Sequence, residues 1–137
     1  MSLNAKTVIL WILRLLAAAI MLQTLFFKFT AAPESIYIFS TLGMEPWGRI
    51  GTGTMELIAS VLILIPATTG IGALLGIGLM GGAIFFHLTK LGLVVQGDGG
   101  QLFIYALLVF ISCAVLVVVY RKDLLQLIRF NRVLEKQ

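Results

Sequence analysis

Charge is scarce in this sequence of 137 residues: ten Lys plus Arg and six Asp plus Glu make up 12% of it. A water-soluble domain carries about 25%, and so few charges cannot cover the surface of a globule this small. A soluble enzyme and a disordered chain are both excluded. Cysteine is scarcer still. With Cys113 alone, there is neither a disulfide scaffold nor an intrachain dithiol able to exchange with a substrate. The one histidine, His87, cannot supply paired histidine ligation of haem, and no closed Cys/His/Asp set offers a structural metal site. No metal is expected, and no Ser-His-Asp set is legible.

What the chain has instead is apolar mass: 60% of its residues, with a mean hydropathy of +1.07. Lipid is therefore the solvent for most of it, and membrane lipid its first expected partner. The pI near 9.6 is not a nucleic-acid signal, because basic residues at membrane edges raise the pI of any inner-membrane protein. No nucleic-acid partner is expected.

A spanning helix needs about 20 mostly apolar residues. Four such runs occur, at about 7–27, 46–66, 70–89 and 102–120. They are too long for strands and do not alternate in polarity. The expectation is an all-α, integral membrane four-helix bundle forming a single membrane domain over 1–137. Pro66 and Gly70 bracket a tight turn between the second and third spans. The longer first connection contains Pro33-Glu34-Ser35, a helix start, and Gly43, a helix stop, which predicts a short interfacial helix in the first outer loop. Glu45-Pro46-Trp47 then opens the second span, with Trp47 as an interfacial anchor. Gln96-Gly97-Asp98-Gly99-Gly100 reads as a flexible turn and lacks the Lys-Ser/Thr of a phosphate loop.

Basic residues near span ends set the orientation. Lys6, Arg121, Lys122, Arg129, Arg132 and Lys136 lie on the side of both termini, against Lys28, Arg49 and Lys90 on the other. Both termini are therefore expected in the cytoplasm, in a multi-pass cell (inner) membrane protein. The tail at 121–137 mixes leucines with cations and is expected to be an amphipathic helix on anionic lipid. Arg14 interrupts the first apolar run where a secretory signal should be cleanest, so that run reads as an uncleaved span.

Ionisable residues inside spans are costly, about 2.5–3.5 kcal/mol each on insertion scales, so they face the bundle with partners or snorkel out. At about 100° per residue, Arg14, Thr24 and Lys28 share a face of the first span. Thr52, Glu56 and Ser60 form a stripe on the second, and Gly72, Gly76, Met80, Ala83 and His87 one on the third. Gln101, Tyr105, Leu108 and Ser112 form the fourth. Facing one another, these stripes predict a polar pocket open to the outer side, floored by an Arg14–Glu56 pair, with Lys28 the second choice of partner. Plainer readings stand beside this one. Arg14 snorkels, Lys28 is an anchor, His87 only fastens helices, and Tyr105 and Gln101 are interfacial. Gly72, Gly76, Gly78 and Gly82 make two small-xxx-small pairs expected to serve close packing.

Arg14-Leu-Leu set fourteen residues before Lys28, Pro46-Trp47, Glu56, Pro66 and a glycine-rich third span closed by His87 form an ordered set. It resembles the DoxX family of small four-helix membrane proteins over most of residues 8–120. The resemblance implies a membrane subunit of the kind associated with thiosulfate:quinone oxidoreductase, working beside a redox protein partner. It makes Arg14, Lys28, Glu56 and His87 candidate contacts for a quinone head group, with Tyr105 as a further donor and Gln101 beside it. Three readings follow. The first is a quinone-linked or redox-partner subunit binding a small polar-headed ligand near Glu56, with quinone as cofactor. The second is a non-catalytic binding or transport protein for a small amphiphile or organic acid, with a homo-oligomer supplying further helices. The third is a structural partner of another membrane protein.

Overall fold

The computed structural model describes residues 4–137, which hold helices and no strand. Helix α1, Ala5–Phe29, starts at Asn4, whose side-chain oxygen accepts the Thr7 N–H at 2.8 Å. A short helix, α2, covers Pro33–Thr41, with proline in its first turn and Glu34 beside it. Three long helices follow: α3 over Trp47–Leu64, α4 over Thr69–Phe86 and α5 over Gln101–Val119. The chain ends in α6, Arg121–Glu135. The four expected runs thus each form one long helix, and both the interfacial helix and the tail helix are present.

Among the described residues three helical segments are long and apolar enough to cross a membrane: Ala5–Phe29, Pro66–Leu91 and Gln101–Val119. The helix over the remaining expected span, α3, falls outside that group because Arg49, Thr52, Thr54 and Glu56 fall between its N-terminus and its middle. It nevertheless belongs to the bundle. α1 packs on α3, α3 on α4, α4 on α5, and α5 returns to α1, so the four long helices close a ring.

Polarity is inverted relative to a water-soluble bundle. Ile9, Ile12, Phe26, Leu74, Phe85, Ile111 and Val118 are exposed on the outside, whereas Arg14, Glu56, Ser60, Thr69, His87 and Ser112 are buried. Lipid tails solvate such an exterior at no cost, and packing of the helices then depends on close fit. Gly72 and Gly76 provide it. A Cβ on Gly72 would lie 2.7 Å from the backbone nitrogen of Ile63 on α3, and one on Gly76 would lie 2.7 Å from Cys113 Sγ on α5. Around these contacts Ala17, Met21, Ala59, Ile63, Ala73, Val109, Cys113 and Leu116 make the buried core.

The two ends of the bundle differ. At one end Pro66–Thr68 forms a single 3₁₀ turn between α3 and α4, and Leu124 of α6 packs against Gly70. Along α6 the cations Arg121, Lys122, Arg129 and Arg132 fall within an arc of about 100°, opposite Leu127, Phe130 and Leu134. At the other end lie α2, a π-helical turn at His87–Leu91 that prolongs α4, and the 92–100 loop. That end holds the cavity.

Candidate functional site

Asp98 organises the loop that closes this end. Its Oδ1 accepts the backbone N–H groups of Val95 at 3.0 Å and Gly100 at 2.8 Å, and its Oδ2 accepts that of Leu102 at 3.2 Å. These bonds satisfy an N–H of the first turn of α5, a group with no partner inside the helix. Burial alone would raise the carboxyl pKa. The three backbone bonds, with nearby His87, outweigh it and hold the pKa below its ordinary value of 3.8. The segment expected to be a flexible turn is thus tied by its own acid.

A cavity of about 590 Å³ opens between this loop and the long helices. α1 supplies Ile20, Met21, Thr24 and Lys28 to its wall, and α2 supplies Glu34, Ile38 and Phe39. Thr52 and Glu56 come from α3, Gly78, Gly82 and Ala83 from α4, His87 from the π turn, and Gln101, Tyr105 and Ala106 from α5. Gln96 and Asp98 close it from the loop. The size falls within the range of about 300–1,000 Å³ usual for small-molecule sites, as does a mostly apolar wall with a few convergent polar groups.

Among those polar groups the central one is an ion pair. Lys28 Nζ lies 3.0 Å from Glu56 Oε2, with the two side chains 14% and 4% exposed. The Thr24 hydroxyl is 3.2 Å from the same oxygen and shares its hydrogen with the Met21 carbonyl at 2.8 Å. Across the cavity His87 Nδ1 is 3.0 Å from the Gly92 carbonyl oxygen, and its ring meets Phe103 edge-on with centroids 5.6 Å apart. Gln101 Nε2 donates to the Tyr105 hydroxyl at 2.8 Å.

Five of the six residues predicted for the site, Lys28, Glu56, His87, Tyr105 and Gln101, line this one cavity. Arg14 does not. The expected Arg14–Glu56 floor is overturned. Arg14 Nε donates to the Ile63 carbonyl and its NH2 group to the Leu64 carbonyl, both at 2.9 Å, while the guanidinium stacks 3.7 Å over Trp11. The last carbonyls of α3 have no partners within their helix. A five-donor guanidinium can satisfy two of them at once, so Arg14 closes the helix end and neither snorkels nor pairs.

The glycine expectation also divides. Gly72 and Gly76 serve close packing, but a Cβ on Gly78 or Gly82 would meet nothing within 4 Å, and both line the cavity. Three further residues were missed. Glu34 and Asp98 line the cavity from segments read only as a helix start and a turn. Arg49, counted only as an outer basic residue, is buried; it binds Glu45 at 2.8 Å and donates to the Lys28 carbonyl. Its i,i+4 spacing from Glu45 was the available signal.

The DoxX-like family model matches residues 12–115, a stretch that starts before Arg14 and runs through α5 to Val115. The chain belongs to the DoxX-like family. All six predicted site residues fall inside the matched stretch, and α6 falls outside it. Neither a curated protein nor a solved structure matches this DoxX-like chain.

Proposed function

We propose that this DoxX-like membrane protein is a quinone-linked subunit that holds a small polar-headed lipophile in the cavity beside Glu56. The observation that carries the reading is the buried Lys28–Glu56 pair in the wall of a 590 Å³ space whose lining is mostly apolar. A structural fastener needs the pair but not the space. The residues present fit a quinone head: Lys28 and Tyr105 can donate to its oxygens, and Glu56 or His87 can accept or return a proton. A bound quinone would supply two-electron redox chemistry, and electrons would pass to or from a redox protein partner.

The charge of the wall bears on the second reading, capture of an organic acid. With Arg14 and Arg49 outside the lining, Lys28 faces the carboxylates Glu34, Glu56 and Asp98. That balance argues against an anionic head and favours a neutral one. The reading also requires α3 to cross the membrane as the fourth span, which its pairing supports. Glu56 is neutralised by Lys28 and Arg49 by Glu45. With four crossings both termini lie in the cytoplasm of a cell-membrane protein, as the basic residues of α6 favour. The apolar exterior is then left for lipid, the redox partner or a second copy of the chain.

The test is extraction and binding. Protein purified in mild detergent should carry lipid-soluble quinone detectable by mass spectrometry, or take up added decyl-p-benzoquinone or its hydroquinone saturably. If quinone neither copurifies nor binds in either redox form at saturating concentration, the reading is wrong. Labelling of Ser40→Cys from outside and Gln126→Cys from inside, in a Cys113→Ala background, checks the topology. Reaction of both from one side rejects it.

A further inference from the structure

The hydrogen-bond roles left open in the cavity wall define a head group more narrowly than size does, and this inference rests on the reading of the cavity as a ligand site. His87 Nδ1 faces the Gly92 carbonyl at 3.0 Å. A carbonyl only accepts, so Nδ1 carries the hydrogen, and whenever the ring holds a single hydrogen Nε2 is an acceptor. Glu56 is similarly one-sided: Oε2 takes Lys28 and Thr24, and Oε1 receives no hydrogen bond. Among the described residues no fully buried side-chain nitrogen or oxygen lacks a partner. His87 Nε2 and Glu56 Oε1 have none. They therefore keep access to open space, although their residues are only 6% and 3% exposed, and the space both residues line is the cavity.

Donors stand on the same wall. The Tyr105 hydroxyl accepts from Gln101 and so retains its own hydrogen, and Lys28 carries three hydrogens with one carboxylate oxygen to satisfy. A head group with lone pairs only, such as a ketone, ester or oxidised quinone, answers the donors. It covers Nε2 and Oε1 without supplying a hydrogen, and an acceptor closed off from water without a partner weakens binding. A hydroxyl answers both, since it donates one hydrogen and accepts another.

The geometry points to a cavity that selects a lipophile whose head carries hydroxyl hydrogens, a phenol or the reduced, dihydroxy form of a quinone, donating to His87 Nε2 and Glu56 Oε1. The probes are decyl-p-benzoquinone, its hydroquinone kept reduced without oxygen, and the dimethyl ether of that hydroquinone. The first two have nearly one shape, and the ether adds one methyl group at each oxygen. Binding to the purified full chain should be at least about tenfold tighter for the hydroquinone than for either of the others. His87→Phe should cut that preference to about threefold or less through weaker hydroquinone binding, with dimethyl ether affinity retained. Glu56→Gln, whose amide can turn a hydrogen toward the ligand, should move the preference toward the quinone. Equal affinity for hydroquinone and quinone, or for hydroquinone and ether, overturns the hydroxyl assignment and leaves the cavity a ligand site. Unchanged preference in both variants overturns the assignment of His87 and Glu56 as the acceptors. Failure of all three probes to bind overturns the ligand site itself.

Discussion

Lys28 and Glu56 meet at 3.0 Å between α1 and α3, with neither side chain open to solvent beyond 14%. Two charges taken out of water gain little net stability as a pair, but either one left alone is strongly destabilising, by about 3–5 kcal/mol. Glu56→Leu should therefore lower the unfolding midpoint in detergent markedly. The double variant Lys28→Met/Glu56→Leu should regain most of the loss while still failing to bind hydroquinone. A double variant no more stable than Glu56→Leu would show that the pair is not the coupled unit described here.

Arg14 gives the opposite pattern. Its two hydrogen bonds end on the Ile63 and Leu64 carbonyls, away from the cavity wall. Thr69 Oγ1 also reaches the Ile63 carbonyl at 3.0 Å, so Arg14→Met leaves chiefly Leu64 unpartnered. The expected cost is about 2 kcal/mol of stability. Hydroquinone affinity of the folded fraction should change less than about threefold, whereas Lys28→Met should reduce it by tenfold or more. Loss of ligand affinity in Arg14→Met with unchanged unfolding would reverse the two roles.

Why the sequence misplaces one of these residues is a matter of register. Arg14 and Lys28 share a face of α1, fourteen residues and about 21 Å apart. That a mid-span carboxylate needs a cation on that face is legible, because an unpaired one is too costly to bury. Which cation it takes depends on how far α3 slides along α1, and no periodicity records that. The helix end at Ile65 then competes for Arg14 with carbonyls that no pattern of side chains reveals. The positions of the long helices, the short helix at Pro33 and the tail are legible because each rests on local composition. Asp98 and Glu34 were not, since their place in the cavity is set by folding of the 92–100 loop and α2 over the bundle end.

Asp98 makes that loop sensitive to acid. Its carboxyl titrates lower in the folded chain than the ordinary 3.8, so its contribution to stability is fully present above that value and is lost as pH falls through the folded pKa. Amide exchange at Val95, Gly100 and Leu102, corrected for its intrinsic pH dependence, should show protection constant from neutrality down to about pH 5 and falling below about pH 3.8. Asp98→Asn keeps an acceptor but no charge. It should lower the protection at neutral pH and remove the acid transition. An unaltered transition in the variant would assign it to another group.

Two glycines on one helix separate packing from binding. A Cβ on Gly72 would stand 2.7 Å from Ile63 N and 2.9 Å from Ala59 O, both backbone atoms that cannot swing aside. Gly72→Ala must push α4 from α3, and overpacking of this kind costs about 1–3 kcal/mol. Gly82 has nothing within 4 Å of a Cβ and lines the cavity, so a larger side chain there meets open space. Replacing glycine inside a helix also gains up to about 1 kcal/mol of helix propensity. Gly82→Leu should therefore leave the unfolding midpoint unchanged or raised, and weaken hydroquinone binding at least tenfold by occupying the space the ligand needs. Gly72→Ala should lower the midpoint and leave the affinity of the folded protein within about threefold. Should Gly82→Leu bind as tightly as the parent, the ligand does not sit between α4 and the Lys28–Glu56 pair, and the cavity is not its seat.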